Sequence, residues 1–229
     1  MRRVLRAEGD IEQCVCLATF LMQIIAHRGI WARPCEKNTA AAFEKAIGSG
    51  FGIETDIRDV GGLVAISHDV PIQPPELFAI DLFRKWATRR SGVLALNVKS
   101  DGLQTLAKEL IHQSGLSDYF FFDMSIPDAV GYLGYDLPIY TRQSDLEPAP
   151  CLYDKAVGVW IDGFHSDWWD LGTIEAHLKA RKQVCIVSPE LHGRPYLRMW
   201  DKLASAPWRD NDNVMLCTDH PAAAVEALK

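Results

Sequence analysis

Short apolar runs recur through the chain. Most are closed by glycine, proline or a charged residue and followed by a stretch whose apolar positions fall three and four apart. Read as strands, they begin at Met22 and continue at 51–58, 63–67, 93–99, 119–123, 137–141, 158–162, 183–188 and 214–218. Helices are predicted from Asn38 as N-cap to about Gly48, from Pro74-Pro75 over 76–90, over 101–113, over 126–132, over 169–181, and from near Pro195. In the first, Ala42, Phe43, Ala46 and Ile47 mark one apolar face, and Gly48 and Gly50 stop it. Strand and helix alternating at this rhythm predict an α/β fold, a single (β/α)8 TIM-type barrel. Nine candidate strands compete for eight places. The run 63–67 follows 51–58 across the Gly61-Gly62 turn, so it either pairs with that strand as a hairpin or is over-read.

A chain of 229 residues is long enough for one such barrel and leaves little for a second domain. There is no internal repeat or low-complexity linker, so 22–229 is read as one barrel domain and 1–21 as an accessory N-terminal extension. In that extension Arg2, Arg3 and Arg6 precede an apolar run from Cys14 to Ala26 with the outline of a signal peptide. Glu8, Asp10 and Glu12 interrupt the approach, and the run is too short to span a bilayer. Two readings of 1–21 stand: a helix plugging the barrel bottom, or an over-called start upstream of Met22. An apolar fraction of 48% and a charged fraction of 24% are those of a soluble globular protein. The net charge of −6 argues against a general nucleic-acid binder, and no integral membrane segment is read. Cys14, Cys16, Cys35, Cys151, Cys185 and Cys217 are scattered without a C-x-x-C pair, as in a cytoplasmic protein with reduced thiols.

The polar residues that close the first strands change the picture. The runs end in His27-Arg28-Gly29, in Glu54-Thr55-Asp56 and in His68-Asp69, with Asn38-Thr39 opening the first helix. A strand buried on both faces has no interior use for such groups, so they emerge at its tip, where parallel α/β folds put their chemistry. Glu54 and Asp56, two apart on a strand, point the same way and can share one hard cation. Two histidines suit acid and base roles near neutrality.

This order of H-R-G, N-T, E-x-D and H-D resembles the glycerophosphodiester phosphodiesterase family, within the phospholipase-C-like phosphodiesterase superfamily. The resemblance implies metal-dependent hydrolysis of a small glycerophosphodiester-like or other headgroup phosphodiester in lipid metabolism. His27 and His68 would be the catalytic acid/base pair. Arg28 and Lys99 would contact the substrate phosphate, although Arg28 could instead pair with Glu54 or Asp56. Glu54, Asp56 and Asn97 would hold one divalent cation, Mg²⁺ or Ca²⁺, with Mn²⁺ as an alternative.

Three departures stand out. The family closes its fourth strand with an acid two residues before the lysine, where this chain has Asn97-Val98-Lys99. An amide oxygen still ligates but adds no charge, and one charge at about 4 Å is worth about 4 kcal/mol at an effective dielectric of about 20. Lys37 stands where the family's P-E-N-T has glutamate, with Glu36 adjacent as a substitute. The interval between His68 and Asn97 holds only a helix and a strand, so the family's small inserted subdomain is missing.

The later strands add Asp123, Arg142, Asp162 with His165, Glu190 with His192, and Asp219 with His220. Asp162, Glu190 and His192 are taken as contacts to a polar substrate headgroup. Trp160, Phe164, Trp168 and Trp169 are read either as an aromatic wall or as rim packing. Two other functions compete: a non-catalytic or weakly active phosphate-binding relative, favoured by Asn97, and a metallohydrolase on His165, His192 and His220, disfavoured by the lack of H-x-H.

Overall fold

A computed structural model describes residues 22–71, 75–89 and 92–229. Eight parallel strands form a nearly closed barrel: β1 Gln23–His27, β2 Gly52–Val60, β4 Leu94–Val98, β5 Tyr119–Phe122, β6 Tyr140–Gln143, β7 Gly158–Ile161, β8 Gln183–Val187 and β9 Val214–Thr218. They lie in the order β5-β4-β2-β1-β9-β8-β7-β6, and a parallel bridge between Phe121 and Ile139 brings the two ends together. The ninth candidate, β3 Leu63–Ile66, pairs with β2 and runs antiparallel to it, so it is a hairpin arm outside the barrel ring. The Gly61-Gly62 turn makes that reversal, with φ of 54° and 81°.

The helices are α1 Ala40–Gly48, α2 Ala79–Arg89, α3 Gln104–Ser114, α4 Ile126–Gly134, α5 Leu171–Lys179, α6 Leu197–Ala204 and α7 Pro221–Ala227. The crossover from β6 to β7 carries turns instead of a helix. Period-two alternation sends one face of each strand outward. Those outward residues pack with the helices as two clusters, one around Phe43, Phe83, Trp86 and Leu96, the other around Val159, Ile186, Trp200 and Leu216.

The inward face fills the barrel with Ile25, Ala95, Phe120, Phe122, Tyr140, Trp160, Cys185, Val187, Met215 and Cys217. Phe120 stacks on Tyr140 at 3.6 Å between centroids, and Phe122 on Trp160 at 3.9 Å. This aromatic plug leaves no room at Gly158, where a Cβ would lie 2.4 Å from the Tyr140 ring.

Three sequence expectations change, and one helix was not expected. The strand expected over 137–141 starts at Tyr140, because Pro138 has no N–H to give a ladder. Asn38 does not cap α1. Thr39 does, accepting from the Ala42 amide at 3.2 Å, while Asn38 takes a left-handed backbone (φ 59°) and turns inward. The helix expected over 76–90 begins at Ala79. The C-terminal helix α7, too short to show a period, buries Ala224 against Met22 and Ile24. Residues 1–21, with both readings of them, lie outside the described residues, as does Pro74.

Candidate active site

The inward parity that fills the core continues two residues further at each strand tip. His27 follows Ile25, Asn97 follows Ala95, Arg142 follows Tyr140, Asp162 follows Trp160 and Asp219 follows Cys217, while Glu54 and Asp56 occupy the same face of β2. Polar groups therefore gather above an apolar plug at the C-terminal mouth of the barrel.

On the β1, β2 and β4 side the groups are deeply buried. Glu54, Asp56 and Asn97 are 1%, 0% and 8% exposed. Asp56 draws in two cations and an amide: Arg28 Nε lies 2.7 Å from Oδ2, Asn38 Nδ2 donates to Oδ2 at 2.8 Å, and Lys99 Nζ stands 3.5 Å from Oδ1. Thr55 Oγ1 holds Asn38 in place by donating to its Oδ1 at 2.8 Å.

Arg28 reaches this position through a left-handed backbone (φ 59°), fixed by its amide donating to Glu54 O at 2.8 Å and its carbonyl accepting from Asn38 N at 3.0 Å. Gly29 follows at φ 86°, where a Cβ would sit 2.7 Å from the Ala42 carbonyl carbon. Backbone strain of this kind persists where surrounding contacts enforce it and concentrates at functional sites. Arg28 thus meets Asp56, the ion-pair alternative of the sequence reading, while remaining on the wall of a cleft.

Three acceptor oxygens here have no hydrogen-bond partner: Glu54 Oε2, Asp56 Oδ1 and Asn97 Oδ1, all buried. Burial, and then the neighbouring charge of Asp56, push the Glu54 carboxyl up to about 7. Asn97 Nδ2 is 3.4 Å from Glu54 Oε1, which brings its amide against the carboxylate it would help to ligate. Unsatisfied buried acceptors are costly, of order several kcal/mol for a charged one, unless a ligand completes them. Among the described residues no group of three or more His, Cys, Asp and Glu side chains is gathered as for a metal. Two carboxylates and an amide oxygen are the donor chemistry of a hard divalent cation.

The two histidines are placed differently. His27 is largely enclosed: Nδ1 donates to Asp219 Oδ1 at 2.6 Å and Nε2 lies 3.8 Å from Glu54 Oε2. His68 is 48% exposed at its side chain and rests on Asp69 at 2.9 Å. It stands in a cleft of about 610 Å³ that Arg28, Lys37 and Asn38 also line. Ser67 N donates to Asp56 O at 3.1 Å, which seats the start of this loop beside the acidic centre.

Glu36 does not substitute for the expected glutamate. It accepts from the Ala32 amide at 3.0 Å and from Arg33 at 2.9 Å, closing its own turn over Pro34–Glu36. Lys37 is the residue that reaches the centre.

On the β7, β8 and β9 side the acids already have partners. Asp162 Oδ1 accepts from Gly163 N at 2.9 Å and from His192 Nε2 at 2.6 Å; that bond raises the pKa of His192 against the opposing effect of burial. Glu190 accepts from Ser188 Oγ on one oxygen, and from Thr218 Oγ1 and Asp219 N on the other. Trp200 Nε1 donates to Ser188 Oγ at 2.9 Å, extending this network into α6.

Asp123 bridges the two sides, with Arg142 Nη1 at 2.6 Å and Lys99 Nζ at 3.6 Å. Of the expected aromatic wall, Trp160 belongs to the barrel core and Trp169 to the helix layer, both buried. Phe164 and Trp168 remain half-buried at the rim, with Phe164 4.8 Å from the His192 ring. The three histidines of the metallohydrolase reading go separate ways: His192 to Asp162, His220 against Tyr196, and His165 to an exposed loop.

Asp219 is the residue whose partnership sequence reasoning missed. It stands out as a strand-end acid, two beyond the inward Cys217. Its contact with a histidine 192 positions earlier has no local signature.

No protein-family model matches the chain, and no curated protein matches it in sequence. Solved structures do match its fold. A glycerophosphodiester phosphodiesterase from Agrobacterium tumefaciens is 17% identical over 90% of this chain and 100% of that one, with a TM-score of 0.66. A glycerophosphoryl diester phosphodiesterase from Parabacteroides distasonis is 12% identical over 92% and 87%, with a TM-score of 0.65. A Ca²⁺-dependent phosphatidylinositol-specific phospholipase C from Streptomyces antibioticus is 11% identical over 92% and 97%, with a TM-score of 0.54. At these identities the likeness is one of fold. Among the described residues no helix is long and apolar enough to cross a membrane.

Proposed function

We propose that this chain is a metal-dependent phosphoric diester hydrolase acting on a small glycerophosphodiester-like or other headgroup phosphodiester. The observation that carries the reading is the trio of buried oxygens without a hydrogen bond on Glu54, Asp56 and Asn97, set between His27 and the cations Arg28 and Lys99. The fold shared with two phosphodiesterases and a Ca²⁺-dependent phospholipase C supports it.

Glu54, Asp56 and Asn97 would hold one Mg²⁺, Ca²⁺ or Mn²⁺, which when bound supplies Lewis-acid neutralisation of the phosphodiester's charge. Arg28 and Lys99 then turn from Asp56 to the phosphate oxygens. One histidine of the pair His27 and His68 takes the proton of the attacking hydroxyl, from water or from the substrate's own alcohol. As the new P–O bond forms and the other breaks, the second histidine gives a proton to the departing alkoxide. Asp219, accepting from His27 Nδ1, leaves Nε2 as the working nitrogen of that ring. The rim groups Asp162, His192 and Phe164 face the headgroup, and Glu190 shapes that wall from behind because its oxygens are already engaged.

A second reading, a phosphate-binding protein without turnover, is favoured by one observation: Arg28 and Lys99 already neutralise Asp56. Hydrolysis of bis(p-nitrophenyl) phosphate and of glycerophosphocholine, with each cation and with EDTA, separates the two. Metal-dependent turnover by wild type that disappears in His27→Ala is the expected result. A silent wild type with activity gained in Asn97→Glu would favour the binding protein. Silence from both, with no heat of cation binding, would refute the hydrolase.

A further inference from the structure

Lys37 has a second-hand route to the candidate centre. It sits in the loop after β1, and its Nζ lies 3.5 Å from Asp219 Oδ2 across the mouth at the end of β9. The other oxygen of the same carboxylate is the one that accepts from His27 Nδ1 at 2.6 Å. The loop holds the ammonium in place: Nζ is 4.3 Å from the centroid of the Trp31 ring, and Trp31 Nε1 donates to His27 O at 3.1 Å. Asp219 is gripped a third time through its backbone, whose N–H donates to Glu190 Oε1 at 3.2 Å. The Lys37 and Asp219 side chains are 22% and 13% exposed, so this pair is shielded far more than a surface salt bridge.

We propose that Lys37 is a positioning residue which, by fixing Asp219, fixes the orientation and tautomer of His27. This rests on the hydrolase reading of the site, in which His27 works through Nε2. A carboxylate held on one oxygen only can rotate about its Cβ–Cγ bond and lose its alignment with Nδ1–H. A cation on the second oxygen removes that freedom and keeps the group ionised. Burial works against ionisation of Asp219, but the bond from His27 and the charges of His27 and Lys37 outweigh it and hold its carboxyl below the usual range. For histidines that bind a metal, losing the group that orients the ring from behind costs about 10- to 100-fold, and a loss of about the lower size is expected here.

A competing role is direct contact with substrate, because Lys37 also lines the cleft that holds Arg28 and His68. Kinetics of Lys37→Gln, Lys37→Arg, Asp219→Asn and the double variant Lys37→Gln/Asp219→Asn distinguish them. Positioning predicts that Lys37→Gln lowers kcat about tenfold with KM within about twofold, and that Lys37→Arg restores most of it. It also predicts that Lys37→Gln adds nothing once Asp219 is an amide. A rise in KM with kcat kept, or additive losses in the double variant, would overturn it.

A second readout does not need turnover: the low-field proton resonance of the His27 Nδ1–H in ¹⁵N-histidine-labelled protein in EDTA. The resonance should be present in wild type and Lys37→Arg, and broadened or lost in Lys37→Gln. If it persists unchanged in Lys37→Gln, the proposal fails even where the enzyme is active. If wild type shows no turnover yet the resonance responds to Lys37, the positioning stands and the hydrolase reading falls.

Discussion

The two sides of the barrel mouth both enclose acids and treat them in opposite ways. On the β1, β2 and β4 side, Glu54, Asp56 and Asn97 each keep an oxygen without a hydrogen bond. On the β7, β8 and β9 side, Asp162 and Glu190 are held by His192, Gly163, Ser188, Thr218 and Asp219. A folded chain tolerates unpartnered charge only where something outside the chain completes it, or where surrounding contacts force the arrangement. The second side satisfies its acids from within the chain, and the first leaves the oxygens on which the proposed cation site rests. Two turns at the mouth also differ in backbone strain. Arg28 and Asn38 hold positive φ and a Cβ at Gly29 would meet Ala42 at 2.7 Å, whereas Gly193, at φ 69°, has open space where a Cβ would stand.

The largest test of this contrast is catalytic. His27→Ala should lower kcat/KM on a phosphodiester by about 10³-fold, while His192→Ala should cost about tenfold or less and fall mainly on KM. Equal losses would mean that both sides do chemistry. Next comes the strained turn. Gly29→Ala should destabilise by about 3 kcal/mol, through both its φ and its 2.7 Å approach to Ala42, against about 1 kcal/mol for Gly193→Ala, read by urea unfolding.

The acids themselves should respond with opposite signs. In EDTA at pH 8, Glu54→Gln should raise unfolding free energy by about 2 kcal/mol, because a buried charge without full compensation is removed. Under the same conditions Asp162→Asn should lower it by about 2 kcal/mol, because a hydrogen-bonded partner of His192 is lost. Calorimetry with Ca²⁺ or Mg²⁺ should show binding to wild type and Asp162→Asn but not to Glu54→Gln. Destabilisation by Glu54→Gln would erase the contrast.

The smallest effect is in pH. The bond to Asp162 raises the folded pKa of His192, while Arg194 opposes it and Asp145 assists. The stability it contributes is fully present below the ordinary histidine value of about 6.5 and is lost as pH rises through the raised folded value. The stability gap between wild type and His192→Gln should therefore be about 1 kcal/mol at pH 5.5 and close to zero at pH 9, followed by thermal melts across that range. A gap that widened with pH would mean that the ring is held neutral.

Much of the barrel is legible in one dimension. The strand runs ending at His27, Arg58, Lys99, Asp123, Asp162, Ser188 and Thr218 are short, largely apolar and punctuated, and period two alone places Glu54 with Asp56 on one face. The errors fell where a local rule met a non-local demand. Asn38 has the chemistry of an N-cap, yet it is drawn inward by Asp56 and Thr55, and Thr39 takes over the cap. Glu36 has the charge to replace a missing acid, but its own turn consumes it.

The amino-acid sequence by itself determined the alternation of strand and helix, the single barrel, and the polar tips that the strands would deliver. Burial of apolar faces is periodic, and a period is written along the chain. Which tip meets which was decided only by the tertiary structure. Barrel closure sets β9 beside β1, and with it Asp219 against His27 and Lys37 against Asp219. It also sets β2 beside β4, so that an amide from one strand faces a carboxylate of the other and one oxygen of each is left without a hydrogen bond. Such contacts depend on strand order and register, and neither is encoded in any local stretch of residues.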